Sequence, residues 1–476
     1  MSEQCIAAIS TAAGMAAIGV IRVSGRGSIE ILSSIFKPAR KFVSHKMYYG
    51  HIVVADEVID EVMACAFFAP KSFTAEDMVE IYAHGGMFVL GKVLDAVIKS
   101  GARLARPGEL TQRAFLNGRI CLTEAEAVMD IIGAKSETAR RAGLRQLGGS
   151  LSARINLARE KILLWIAHIE LSIDYPERED EAKNARDILE EAPRLVEDLT
   201  ALLETASIGR IIRTGMKTAI IGRPNVGKST LLNYFLSENR AIVHELPGTT
   251  RDVLTEEVRI GNLPLVLMDT AGIRKSSDTV EQIGMDKTYE AAENADLVLF
   301  VADATAGLTD EDKEILMSLR GAPQRSNPLE HRMDGGVDCF ATLAMTNTKT
   351  LAMTSTKTLL LFNKADMVPH NQQEELYISA KTGQGMSILL DKLEKMFLSG
   401  ITNESPDIIT RDRHKYLLEE ALNHLTQAIN ELNNGVHEDL VSISLRLAYT
   451  KLGEILGEEI RDDIAEKIFS EFCVGK

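Results

Sequence analysis

Gly222-Arg223-Pro224-Asn225-Val226-Gly227-Lys228-Ser229 is the stretch that decides how this chain is read. It has the form GxxxxGK[ST], directly after the apolar run Lys217–Ile221 and directly before a helical pattern. In that strand–loop–helix setting, glycines let backbone N–H groups close around phosphate oxygens. The helix N-terminus adds its partial positive charge. Lys228 is expected to reach the β- and γ-phosphates, and the Ser229 hydroxyl to ligate Mg²⁺, with Thr230 next to it in the first helical turn. Asn225, Val226 and Gly227 form the loop that wraps the phosphates.

Four further motifs lie outward from this loop, three of them at the end of an apolar run. Asp269-Thr270-Ala271-Gly272 follows Leu263–Met268, where a carboxylate holds Mg²⁺ through water and the Gly272 N–H senses a γ-phosphate. Gly248-Thr249-Thr250-Arg251-Asp252 lies between, in the place of a switch loop, with Thr250 the choice for a second Mg²⁺ contact. Asn363-Lys364-Ala365-Asp366 ends another strand-like run. A carboxylate there accepts from the N1–H and N2–H₂ edge of guanine and rejects adenine, because an unpaired buried acceptor costs on the order of 1–3 kcal/mol. Ser379-Ala380-Lys381 completes the base pocket. Their order predicts a GTP site and a GTP-hydrolysing enzyme.

The residue after Gly272 is Ile273, where Ras-like enzymes carry the glutamine that orients water. An aliphatic side chain cannot hydrogen-bond water, and Glu281, a few residues on in the polar stretch Arg274–Gln282, is the nearest plausible substitute. Arg223, Arg251 and Arg274 are all close in sequence, and none stands out as a charge-stabilising finger. Asn225 offers an amide oxygen for a monovalent cation beside the β/γ bridge, and K⁺ there would supply the missing positive charge.

The runs Lys217–Ile221, Leu263–Met268, Leu297–Val301, Leu359–Phe362 and Leu376–Ile378 alternate with helical segments, which predicts a doubly wound parallel sheet. Upstream, Ile18–Val23 and Met63–Phe68 read as strands, and Phe88–Lys99 as an amphipathic helix. Helical patterning begins near Thr123, where Thr123 and Glu126 have capping-box spacing. It runs to about Ala206 with an interruption at Pro176, and returns in Arg411–Asn433, Asp439–Leu456 and Glu458–Phe472. The expected fold class is therefore multidomain: an α/β head over 1–120, a helical domain from 121–212 plus 391–476, and an inserted Ras-like P-loop α/β domain over 213–390. An insert at about 321–357 carries the tandem octads Leu343–Thr350 and Leu351–Thr358, and reads as a surface duplication.

Bulk properties bound the rest. A chain of 476 residues exceeds one core and calls for about three domains. Its five cysteines are scattered without a CxxC pair, which argues against a zinc site or disulfide framework and for a reducing compartment. No run approaches the ~20 apolar residues of a membrane span, and no leader is evident, so a cytoplasmic address is expected. The formal charge of −15 means that any RNA contact uses a local patch, not the whole-chain field.

Several stretches beyond the nucleotide motifs carry a family likeness: Ile18–Gly25, Ser72-Phe73-Thr74-Ala75-Glu76-Asp77, His84-Gly85-Gly86, Arg106–Gly118 and the terminus Phe472-Cys473-Val474-Gly475-Lys476. In these the chain resembles the tRNA-modifying GTPase family known as MnmE or TrmE, over nearly its whole length apart from the insert. The resemblance implies a head that binds a tetrahydrofolate derivative (5,10-methylene or 5-formyl form) as one-carbon donor and forms a homodimer. It implies an FAD-containing partner of the MnmG/GidA type in a heterotetramer, with tRNA as substrate. Aminomethyl or carboxymethylaminomethyl groups would be added at C5 of the wobble uridine.

Carried over residue by residue, the likeness puts Arg22, Glu80, Arg119 and Lys476 on folate, and Asn225, His244, Leu246 and Thr249 on K⁺. It brings His244, Glu245, Leu246, Pro247, Gly248, Thr249 and Thr250 to GTP, and makes Glu281 the residue that positions water. Cys473 is a candidate reactive thiol by position. The departures are Gly14-Met15-Ala16-Ala17 in the first folate-side loop, His244 where threonine is usual, and Arg119 for a frequent lysine. The competing reading is a ribosome-assembly type GTPase switch that binds RNA without modifying it. A single GxxxxGKS and the lack of a basic C-terminal module stand against that.

Overall fold

A computed structural model describes residues 4–174, 181–238, 256–261, 263–268, 292, 294–320, 357–369, 376–398 and 407–475. The chain divides into two compact units, one of Met1–Gly133, Gly143–Leu203 and Arg413–Lys476, the other of Ala134–Ala142 and Glu204–Asp412.

The first unit begins with a sheet of β1 (Ile6–Ile9), β2 (Ile18–Ser24), β3 (Phe36–Lys37), β4 (Met47–Val54), β5 (Glu57–Phe67), β6 (Met78–His84) and β7 (Arg103–Leu104), in the order β3-β4-β5-β6-β2-β1-β7. Along β2 the alternation buries Ile21 and Val23, while Val20 and Arg22 lie half-buried on the other face. Ile21, Val23, Val79 and Ile81 join one core with Leu90, Val93 and Val97 of the Met87–Lys99 helix. The strand and helix expectations for this head hold.

Helices Leu122–Ile132, Ser150–Asp174, Glu181–Glu204, Asp412–Asn433, Glu438–Leu456 and Asp462–Ser470 make up the helical part. Its first helix starts earlier than expected. Cys121 is the N-cap, and its N–H donates to the Glu124 carboxylate at 3.0 Å. Thr123 does not cap. Glu126 is instead buried, accepting from Arg413 at 3.0 and 3.2 Å with His414 Nε2 2.6 Å away. The last helix opens at Asp462, not Glu458, because Gly457 (φ 93°) and Glu459 (φ 54°) are left-handed and interrupt the pattern. Pro193 lies inside Glu181–Glu204, and the expected break at Pro176 falls outside the described residues.

The second unit holds β8 (Met216–Ile221), β9 (Glu256–Ile260), β10 (Leu263–Leu267), β11 (Leu297–Asp303), β12 (Lys357–Asn363) and β13 (Leu376–Tyr377), ordered β13-β12-β11-β8-β10-β9. Five of these are the expected parallel strands. The sixth, β9, is an antiparallel edge that the sequence did not announce, since of Glu256–Arg259 only Val258 is buried. Leu231, Leu232 and Phe235 of the Lys228–Glu238 helix pack with Leu265, Leu299 and Leu361 into one core, which fixes the loop between β8 and that helix. The tandem octads lie outside the described residues, apart from Lys357 and Thr358 at the start of β12.

Candidate functional site

The phosphate loop leaves β8 through Gly222. Its φ of 152° and the Val301 carbonyl, which a Cβ would approach to 2.2 Å, admit only glycine. Val226 is buried in the sheet core and anchors the loop from below. Asn225 is exposed at the crest with φ 63°, and Gly227 follows with φ 100°. Left-handed residues on either side of Val226 turn the loop so that backbone N–H groups face one concavity, the geometry that holds anions. Lys228 opens the helix, and its Nζ donates to the carbonyl oxygens of Gly222 (2.6 Å) and Arg223 (2.8 Å). Burial lowers the pKa of this ammonium. Ser229 is half-buried and Thr230 exposed in the same turn.

Asn363 joins this loop to the base-recognition loop. Its Nδ2 donates to Val226 O at 2.9 Å and its Oδ1 accepts from Ala380 N at 3.0 Å, with the residue itself 3% exposed. A Cβ on Gly227 would come within 2.1 Å of that Nδ2, so the glycine is required by the asparagine. Lys364, left-handed at φ 68°, pairs with Asp303 at 2.6 Å. Burial pushes the Asp303 carboxyl up, but Lys364 and Thr305 outweigh it and hold the group below its ordinary value. Ala365 is buried and donates to Ile378 O, which leaves Asp366 exposed on the turn Ala365–Met367. Ser379 and Ala380 are buried beside Asn363, and Lys381 is exposed.

Arg223 is committed elsewhere: its Nε donates to Asp312, a fully buried carboxylate, at 2.8 Å. That removes it as a finger. The remaining nucleotide-site calls, His244, Glu245, Leu246, Pro247, Gly248, Thr249, Thr250, Asp269, Thr270, Ala271, Gly272 and Glu281, lie outside the described residues, as do Arg251 and Arg274.

In the first unit, Arg22 and Glu80 are register partners on β2 and β6, and Arg22 Nε donates to Glu80 Oε1 at 2.8 Å. Tyr82, two residues on and therefore on the same face, donates its hydroxyl to Glu80 Oε2. Burial first, then Glu80, raise the pKa of that phenol well above its ordinary value. Arg119 reaches the same place from the loop after Glu109–Leu116, donating to Phe73 O at 2.5 Å. Arg22 and Arg119 both stand over the Phe73 ring, at 4.9 and 5.1 Å from its centroid. Three of the four proposed folate contacts thus converge, while Lys476 lies outside the described residues. Gly475, just before it, is tethered by Ser10 Oγ to its carbonyl at 2.8 Å. Cys473 is half-buried, and its carbonyl accepts from Gly108 N at 3.4 Å.

The quoted head motifs are mostly scaffold. Arg113 bridges Glu76 (2.9 Å) and Gln4 O (2.9 Å), and Asn117 holds Thr74 O at 2.7 Å, so the Arg106–Gly118 segment clamps the Ser72–Asp77 loop. His84 pairs with Asp60 at 2.7 Å at the end of β6. Sequence reasoning missed Tyr82, Asp303 and Asp312. Tyr82 alone had a local signal, its two-residue offset from Glu80.

Two family profiles match: "GTP-binding protein TrmE N-terminus" over residues 5–119 and "MnmE helical domain" over residues 122–473. The chain belongs to the MnmE/TrmE family of tRNA modification GTPases. It is 40% identical over 480 residues to the tRNA modification GTPase MnmE of Finegoldia magna, covering 100% of each chain. It is 41% identical over 489 residues to that of Thermoanaerobacter sp., at 99% of each, and 42% over 484 residues to that of Streptococcus gordonii, at 99% of this chain and 98% of the relative. The family fixes the enzyme class as a P-loop GTPase with an α/β head and a helical part, and GTP as its nucleotide.

Proposed function

We propose that this chain is the K⁺-stimulated GTP hydrolase of a wobble-uridine modifying complex. It works as a homodimer in the cytoplasm with an FAD-dependent partner of the MnmG/GidA type, and adds aminomethyl or carboxymethylaminomethyl groups at C5 of uridine in tRNA. A tetrahydrofolate derivative is the one-carbon donor, held by the head over 1–120. The helical domain (121–212 plus 391–476) carries the GTPase domain (213–390) as an insertion.

The observation that carries this reading is the convergence of Arg22, itself paired with Glu80, and Arg119 on Phe73 in a chain that also ties its phosphate and base loops together through Asn363. The residues fit the groups they would hold. Lys228 rests on two loop carbonyls, so the loop already accommodates a cation, and exposed Asn225 adds an amide oxygen. Arg119 forms no ion pair among the described residues, which suits a site for an anionic carrier. In this reading Asp366 accepts from the guanine edge, and Lys228 moves from its carbonyls to the β/γ oxygens. Ser229 and Thr250 would hold Mg²⁺, with Asp269 contributing through water. Asn225, His244, Leu246 and Thr249 would hold K⁺, which together with Mg²⁺ would supply positive charge for the phosphates. Glu281 orients the water that Ile273 cannot.

Mass analysis of wobble uridines in tRNA from cells lacking the gene tests the proposal. Loss of the C5-aminomethyl-type adducts is expected. Unchanged uridines would contradict it and favour an RNA-binding switch without chemistry.

A further inference from the structure

Phe73 stands in a setting that its place in the Ser72–Asp77 loop does not by itself explain. Its ring is half-buried, resting on Ile6, Ala8, Ala105 and Leu110, with two guanidinium groups over it. Like charges repel, so two arginines converge on one point only if something offsets their mutual repulsion. An aromatic face supplies that through its negative quadrupole.

The two arginines differ in what else holds them. Arg22 has the Glu80 carboxylate at 2.8 Å, and its strand fixes its backbone. Arg119 is exposed, follows Gly118 (φ 69°), and makes no ion pair among the described residues. Among the described residues its guanidinium is held by Phe73, through the ring and through the Phe73 carbonyl at 2.5 Å. Asn117 secures the adjacent Thr74 carbonyl at 2.7 Å, so the backbone that offers this carbonyl is itself fixed.

We infer that Phe73 is a positioning residue of the one-carbon site: it sets Arg119 against Arg22, so that both cations are in place before an anionic reduced-pterin ligand arrives. The inference rests on the folate reading above and deepens it. An arginine that is ordered only on binding gives up side-chain entropy at that moment, whereas one already placed does not.

The test is calorimetric titration of the full-length protein with 5-formyltetrahydrofolate. Phe73→Leu is close to the native volume and should weaken binding about tenfold, while Phe73→Tyr keeps the aromatic face and should bind within about twofold of the unmodified protein. Circular dichroism on each sample establishes that the bound fraction refers to folded protein. Arg22→Ala and Arg119→Ala serve as references. If neither arginine variant weakens binding, the folate reading itself falls. If both do and Phe73→Leu binds like the unmodified protein, the role of Phe73 alone is overturned. A Phe73→Tyr protein as weak as Phe73→Leu also overturns it, since a packing role and not the ring face would then be at work.

Discussion

Replacing Asp366 by asparagine exchanges a double acceptor for a side chain with one acceptor and one NH₂ donor. Guanine offers two donors to this position, and xanthine offers one donor beside one acceptor. Asp366→Asn is therefore expected to weaken GTP binding by about a hundredfold or more and to favour xanthosine triphosphate. Competition binding with the two nucleotides checks this, and an unchanged order of affinity would take Asp366 out of the base pocket. Arg223 gives a residue-scale expectation with a pH signature. Burial raises the Asp312 carboxyl, but Arg223 and Thr309 outweigh it, so the folded pKa lies below the ordinary 3.8. A depressed pKa means stability that is present above the unfolded value and lost as pH falls through the folded one. Arg223→Ala should cost about 1–3 kcal/mol at pH 7, less than the loss of a fully buried pair because Arg223 is partly open to water. The gap to the unmodified protein should close as pH drops below 4. Urea unfolding at the two pH values measures both halves of that statement, and a constant gap would contradict it.

At the scale of elements, the Leu122–Ile132 and Asp412–Asn433 helices are joined by a buried ion group in which Glu126 faces Arg413 and His414. Glu126→Ala leaves those partners without their carboxylate and should destabilise the helical part by about 3 kcal/mol. Trp165 is the chain's single tryptophan and is buried in the Ser150–Asp174 helix, so its fluorescence reports this transition separately. An unshifted midpoint would mean the pair adds nothing there. The same group shows where sequence reading stops. The apolar runs that became β8, β10, β11, β12 and β13 were legible because parallel strands are buried on both faces. Glu126 was misread because its partners lie 287 and 288 residues away, and only the fold brings them near. In the candidate site, the motif residues were legible because phosphate and base recognition depend on backbone shape at fixed spacing. The Asn363–Val226 link spans 137 residues and the Arg223–Asp312 pair spans 89, so neither leaves a local trace. Edge strand β9 failed for a different reason, since a half-solvated edge has no apolar run to read.

On the scale of the molecule, the family match runs through head, helical part and GTPase unit, so the two sites belong to one polypeptide. The net charge of −15 makes a diffuse electrostatic grip on any RNA unfavourable, so in the proposed account contact with tRNA falls to local patches. No helix among the described residues is long and apolar enough to cross a membrane. What links the parts in the proposed account is a hydrolysis step that works without a glutamine beside Gly272. In that account a bound alkali ion and the carboxylate of Glu281 would take its place. GTP turnover of the purified full-length protein in K⁺ and in Na⁺, with and without Glu281→Ala, tests that claim most directly. The account predicts turnover at least tenfold faster in K⁺, and a loss of about a hundredfold or more in Glu281→Ala. Equal rates in the two salts, or full turnover by Glu281→Ala, would contradict it.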